Sequence, residues 1–411
     1  MNVSIQNQSC PAALDLSNES FCSFFPDDCG PNKPIIKIET GEFIAKLVLY
    51  LIIFISSFFG NIMVILVVVL YRSKMQSSAY IYLLNLSVAG LIIALGCMWP
   101  TFMVNVAYEY PLGAAMCKIH PFLQLTSMVS SVLTLATIAL DQFVAVAFPI
   151  HARFTRRLWP SWVISGVWIL AAAASIPFLT HKKLTELRFS DHVKLHCSEV
   201  WDSYMIFDPS QDDCIRLEPG KTVYYSFITT ALFFFPVGVM MVAYAVIMRK
   251  VWFMQIPGDY PAYNAVHAKS KAKIIKLVAA VLVAFLICWM PLQVLILFER
   301  YRPTTRELPK WFDQFKYFAH FIAYANSAIN PLVYCSLNGK FRQGFMAILT
   351  CHKSRMRRNS LDDSTLVTLH TDAASRRGSR AVSFHVSTHS IHTNANDEPH
   401  YALRGFLSDP H

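Results

Sequence analysis

The chain has 411 residues, 54% of them hydrophobic and only 15% charged, with a formal net charge of +10. A soluble domain carries about 25% charged residues, so this composition excludes an ordinary water-soluble globule. The positive charge lies in loops and tail rather than in a basic domain, which excludes a nucleic-acid-binding protein.

A helix needs roughly 20 mostly apolar residues to cross about 30 Å of hydrocarbon. Seven such runs occur, at about 44–71, 79–105, 114–147, 158–178, 222–250, 272–298 and 312–335. Backbone polar groups cannot stay unpaired in lipid, so these runs are predicted as helices. The expected fold is an all-α integral membrane protein, a seven-transmembrane helix bundle.

Before the first run, residues 1–42 are acidic and predicted to be mostly irregular. They carry acceptor tripeptides for glycosylation at Asn2, Asn7 and Asn18. The first run contains Gly60-Asn61 and is followed by Arg72 and Lys74. The second contains Asn85-Leu86-Ser87-Val88-Ala89. The third begins near Cys117, ends in Asp141-Gln142-Phe143 and is followed by Arg153, Arg156 and Arg157. The fourth holds Trp168 and Pro177. The segment at about 179–221 has β-prone pieces such as Val193-Lys194-Leu195, and a hairpin is expected there. The fifth run holds Pro236 and Tyr244, and the stretch after it holds Lys269, Lys271 and Lys273. The sixth holds Phe285 and Cys288-Trp289-Met290-Pro291; the seventh holds Asn330-Pro331-Leu332-Val333-Tyr334. Then Phe341, Phe345, Ile348 and Leu349 recur at helical spacing, which predicts a short amphipathic helix on the inner leaflet. Residues 351–411, rich in Ser, Thr and His, are predicted to be a disordered tail.

The basic segments after the odd-numbered runs share one side of the membrane, and the excess of Lys and Arg makes that side cytoplasmic. The N-terminus is then expected outside and the C-terminus inside, in a multi-pass protein of the plasma membrane. The first 30 residues lack a basic start followed by an apolar core, so the first run is expected to serve as the uncleaved insertion signal. Cys10, Cys22, Cys29, Cys117, Cys197 and Cys214 fall outside, where disulfides form, though their number allows many pairings. Cys351 follows the last helix among basic residues; palmitoylation and a free thiol are both open.

These motifs, in this order and each in its own span, resemble the rhodopsin-like (class A) G-protein-coupled receptor family over about 43–350. Finer features resemble the orexin/allatotropin neuropeptide receptor group. They are Lys250-Val251-Trp252, Gln255-Ile256-Pro257-Gly258, Pro121-Phe122-Leu123-Gln124, Val132-Leu133-Thr134-Leu135, Cys197-Ser198-Glu199-Val200-Trp201, and Phe318-Ala319-His320 through Tyr324-Ala325-Asn326-Ser327-Ala328.

The resemblance implies an extracellular peptide ligand, a heterotrimeric G protein, and arrestin and receptor kinases as further partners. No enzyme activity, cofactor or metal is expected. It implies a disulfide between Cys117 and Cys197, leaving Cys214 to seek a partner in the N-terminal segment. Gln124, His320 and Tyr324 map to the ligand pocket, with Met128 and Ile296 as apolar wall and Glu199 and Trp201 as a loop lid. Glu299 and Arg300 stand at the rim, facing charged ligand groups or simply solvated. Asn61 and Asn330 are amides inside spans and are expected to hydrogen-bond between helices. Pro291 and Pro331 kink their helices; whether as static bends or as hinges, the residues alone leave open. Trp289, one turn above Phe285, would form the pocket floor, and Asp141, Gln142 and Tyr334 belong to the activation motifs. The tail carries Arg357-Arg358-Asn359-Ser360 and Arg376-Arg377-Gly378-Ser379, basic patterns that suit kinases.

Two positions depart from the family pattern. Gly90 stands where the second span holds an Asp that anchors a sodium ion, and Gln142 stands where Arg follows Asp141. A weakly signalling or scavenging receptor of the same fold is therefore the alternative. A transporter would need paired charges or broken helices near the midplane, which the spans lack. Without a carboxylate at position 90 a buried cation has little compensation, so agonist affinity should not change when sodium is exchanged for N-methylglucamine. A sodium-dependent shift in a radioligand assay would overturn this.

Overall fold

The computed structural model describes residues 39–75, 77–107, 109–148, 159–188, 193–208, 213–253, 262–301 and 311–350. Its helices are α1 (Thr40–Leu70), α2 (Ser78–Val106), α3 (Gly113–Ala147), α4 (Trp159–His181), α5 (Pro219–Thr229, a π turn Thr230–Phe234, then Phe235–Phe253), α6 (Ala262–Tyr301), α7 (Phe312–Leu337) and α8 (Gly339–Leu349). The glycosylation acceptors Asn2, Asn7 and Asn18, the cysteines Cys10, Cys22, Cys29 and Cys351, and the tail lie outside the described residues.

All seven expected spans are helices. Six of them are long and apolar enough to cross a membrane. The seventh, α7, includes Asp313, Lys316, His320, Asn326 and Asn330, which dilute its hydropathy. It packs against α6 and α1 as a full member of the bundle. Its amides Asn326 and Asn330 are buried, so its polarity faces inward. The reverse holds for large apolar side chains such as Phe59, Trp162, Val242, Ile287 and Leu332, all exposed on the outer faces. An apolar exterior is what hydrocarbon solvates and water does not.

Polar side chains tie the helices from within. Asn85 on α2 donates to Thr134 Oγ1 on α3 at 2.8 Å and accepts from Trp168 Nε1 on α4 at 2.8 Å, so one amide joins three helices. Thr126 on α3 donates to Ser175 on α4 at 2.9 Å. Asn61 on α1 donates to the Ser327 carbonyl of α7 at 3.0 Å, and Ser57 donates to Ser327 Oγ at 2.9 Å. The interhelical role expected of Asn61 is therefore present. Asn330 is buried, but its Oδ1 has no partner among the described residues.

Proline sets local helix shape. Pro121, Pro177, Pro291 and Pro331 lie inside α3, α4, α6 and α7. In α2 and α5 a π turn precedes the proline instead: Ala94–Met98 before Pro100, and Thr230–Phe234 before Pro236. An extra residue in the turn relieves the clash between the ring and the carbonyl one turn back.

Where the sequence suggested one hairpin there are two. Strands β1 (Lys182–Arg188) and β2 (Val193–Glu199) pair antiparallel from Lys182↔Glu199 to Arg188↔Val193. Strands β3 (Tyr204–Asp208) and β4 (Asp213–Leu217) pair with Phe207 opposite Cys214. A Cys117–Cys197 disulfide joins the start of α3 to β2, and Tyr110 N–H donates to the Leu195 carbonyl at 2.9 Å. The first hairpin is thus held against one end of the bundle. At the other end, Asn338 caps α8 by accepting from the Lys340 N–H at 3.0 Å. Phe341 is fully buried there against Tyr334 and Tyr80.

Gly60 marks the tightest contact of α1 with α7. A Cβ there would stand 2.9 Å from the Pro331 ring, and a proline ring cannot rotate away. Gly60→Ala should cost about 1–3 kcal/mol, seen as a lower Tm of the purified protein; an unchanged Tm would mean the two helices part freely.

Candidate functional site

At the hairpin end the helices enclose a cavity of about 910 Å³. Its floor is Trp289, whose ring stacks over Phe285 at 5.9 Å; Phe285 in turn packs on Phe233 of α5 at 5.9 Å. Pro291, inside α6, lies two residues from the floor. The lower wall is largely apolar, with Leu125 and Met128 from α3 and Leu292 and Ile296 from α6. Gln293 donates to Met128 Sδ at 3.4 Å, which orders the lower wall around one long thioether.

Six of the eight residues expected in the pocket line this cavity: Gln124, Met128, Glu199, Ile296, Glu299 and His320. The other two stand behind the surface. Tyr324 is fully buried, and its hydroxyl hydrogen-bonds Thr101 Oγ1 at 2.6 Å. Thr101 lines the cavity and also meets His120 Nε2 at 3.0 Å. Tyr324 therefore positions a wall residue. Trp201 stacks on His181 with ring centroids 3.8 Å apart and donates to Glu199 at 3.3 Å. It braces the loop rather than covering the cavity.

The mouth is more elaborate than its sequence suggested. Glu199, at the end of β2, is 7% exposed and lies 3.3 Å from Lys182 and 3.7 Å from Lys221. It also accepts from Tyr225 Oη at 2.6 Å. Lys221 lies 3.2 Å from Glu218, whose same oxygen is 3.6 Å from Arg300 Nη1. Lys316 and Glu299 pair at 3.3 Å. Lys182, Lys221 and Tyr225 went unnoticed in the sequence because no spacing rule links β1 to the first turns of α5. Burial alone would raise the Glu199 carboxyl pKa; Lys182, then Tyr225 and Lys221, outweigh it and hold it below the ordinary carboxylate range. His196 on β2 is held below its ordinary value first by burial and then by Lys194, Lys182 and Lys316.

The opposite end of the bundle holds the second group of expected residues. Asp141 accepts from Ser78 Oγ on α2 at 2.7 Å and from Gln142 Nε2 at 3.3 Å. Gln142 is buried, so the neighbour of Asp141 is tucked in as a neutral amide. Lys250 Nζ on α5 reaches the Val146 and Ala147 carbonyls at 3.5 and 3.4 Å, capping the end of α3. Gly90 faces Asn61: a Cβ there would stand 2.8 Å from Asn61 Nδ2. The α1 amide thus fills the space where a longer α2 side chain would go. Tyr334 is fully buried, with no partner for its hydroxyl among the described residues.

A carboxylate held low contributes stability at neutral pH that is lost as pH falls through its folded pKa. The Tm difference between the native protein and Glu199→Gln should therefore be several degrees at neutral pH and shrink on acidification. A gap independent of pH would show that the lysine pairs are not its source.

Comparison with known proteins places the geometry in context. Residues 60–334, well over half of the chain, match the family described as "7 transmembrane receptor (rhodopsin family)". A QRFP-like peptide receptor of Branchiostoma floridae is 28% identical over 344 residues, covering 81% of this chain and 84% of its own. The RYamide receptor of Drosophila melanogaster is 28% identical over 312 residues, covering 73% of this chain and 62% of its own. Neuropeptide FF receptor 2 of Mus musculus is 28% identical over 318 residues, 74% of this chain and 72% of its own.

Proposed function

The chain belongs to the rhodopsin family of seven-transmembrane receptors, and on that premise we propose that it is a plasma-membrane receptor that binds a short neuropeptide and signals through a heterotrimeric G protein. The cavity carries this proposal. It opens beside the disulfide-anchored first hairpin, has an apolar lower wall and a charged mouth, and ends on Trp289. Such a site suits the end of a peptide: apolar burial supplies affinity and a few polar groups fix orientation. The relatives are named as peptide receptors, which favours the same ligand class. The finer orexin/allatotropin proposal rests on Gln124, on the segment from Cys197 to Trp201 and on the one from Phe318 to Ala328; the three relatives bear other peptides' names.

In this proposal the hairpin end faces outside and α8 lies on the cytoplasmic leaflet. Ligand that presses on Trp289 shifts Phe285 and its contact with Phe233, so α6 turns about the Pro291 kink and opens the end where Asp141 lies. Asn61, Asn330, Pro331 and Tyr334 form the α1–α7 seam that such a motion rearranges. Modification at Asn2, Asn7, Asn18 and Cys351, and arrestin or kinase engagement of the tail, belong to the same proposal. The buried Gln142 amide favours weak coupling as the second reading, with peptide uptake as its output.

A neuropeptide panel applied to cells expressing the receptor tests this through second-messenger output. One or more peptides should elicit a response, and Gln142→Arg should raise its maximum severalfold. Peptide uptake without signal from either form would establish the scavenger instead, and no binding by any peptide would overturn the ligand class.

A further inference from the structure

We infer that the ligand brings a carboxylate into the cavity and docks it on Arg300 at the hairpin end of α6. This rests on the peptide-receptor proposal and specifies the ligand's charge.

Arg300 lines the cavity, and its side chain is 18% exposed. Its Nε is buried with no hydrogen-bond partner among the described residues. Glu218, its carboxylate neighbour among the described residues, stands 3.6 Å from Nη1, beyond a good hydrogen bond. A guanidinium offers five N–H donors in a planar fork matched to a carboxylate. Here the Nε–H of that fork is uncommitted among the described residues and Nη1 is only loosely paired, although the residue is already largely withdrawn from water.

Among the described residues, the acidic groups nearest it are already engaged. The Glu218 oxygen that faces Arg300 is also shared with Lys221 at 3.2 Å. Glu199 is surrounded by Lys182, Lys221, the Tyr225 hydroxyl and the Trp201 N–H. Glu299 faces Lys316. Glu109, the other lining carboxylate, is exposed on the connection between α2 and α3. A cationic ligand group entering beside α6 would have to break an existing pair and would meet Arg300 as a like charge. A carboxylate would complete the Arg300 fork with two charge-assisted hydrogen bonds. Ligand closure removes the remaining water from Arg300, and a buried unpaired donor is costly. The sign of the field therefore selects the ligand as well as binding it.

The carboxylate can come from an aspartate or glutamate side chain or from a free peptide C-terminus. Affinity selection with the full-length receptor in nanodiscs separates these sources. Three pools of N-acetylated random heptapeptides serve as probes: C-terminal amides without Asp or Glu, C-terminal amides with Asp and Glu, and C-terminal free acids without Asp or Glu. Enrichment from the second pool assigns a side-chain carboxylate; enrichment from the third assigns the C-terminus. Either should fall about 30-fold or more in Arg300→Gln and recover in part in Arg300→Lys, which restores the charge but not the planar fork and checks that the site is folded. Lys118→Gln, on α3 but off the cavity wall, should retain the same peptides as the native receptor. Equal enrichment from the carboxylate-free pool, or retention indifferent to Arg300→Gln, overturns the inference and leaves the peptide-receptor proposal standing. Retention of no peptide from any pool by the native receptor overturns both.

Discussion

A helix in hydrocarbon satisfies its own backbone hydrogen bonds but not its polar side chains, and the rest of this structure follows from that difference. Amides in the spans turn inward, and hydroxyls turn inward or bond the backbone of their own helix. Asn85 does so by joining α2, α3 and α4, and Asn61 by reaching the Ser327 carbonyl of α7. The same constraint makes α7 the least apolar of the seven helices while keeping it inside the bundle. Polar residues in this protein therefore mark the seams between helices and the wall of the cavity, and apolar ones mark the lipid face.

The two ends of the bundle treat charge differently. At the hairpin end, carboxylates and lysines are drawn together by β2, α5 and α6 into a partly buried network around Glu199 and Glu218. Ion pairs held there resist screening by salt. At the α8 end, Asp141 is held by a serine and a neutral glutamine. Positive charge is supplied instead by Lys250, which caps α3 from α5. An aromatic stack through Trp289, Phe285 and Phe233 lies between the two ends, next to the Pro291 kink, where a bent helix has fewer backbone bonds to resist motion.

The departures from the family pattern are linked to their surroundings. Gly90 is not merely a missing carboxylate. The Asn61 side chain occupies the space a Cβ would need, so the two positions fit as a pair, and restoring an acid at position 90 alone would displace the amide that ties α1 to α7. Gln142 fits as a buried hydrogen-bond donor to Asp141 in a site where a guanidinium would have to find a second acceptor.

The seven spans, the short helix ending near Leu349, the positions of Trp289 and Pro291 in the sixth span and the interhelical bond of Asn61 were legible in the sequence. Hydrophobic run length and proline position act locally, and lipid enforces them residue by residue. The Cys117–Cys197 bridge and six of the cavity residues could be placed through family resemblance, because each motif is anchored to one span. The rest required the fold. Tyr324 lies behind Thr101 and Trp201 against His181 because helix rotation and loop packing, not spacing along the chain, decide which side of a polar residue faces the cavity. The second hairpin, the Gly90–Asn61 fit and the cluster of Lys182, Lys221, Glu218 and Arg300 each join residues distant in sequence. Their electrostatic energies depend on separations of a few ångströms, and those distances are set only when the helices have packed.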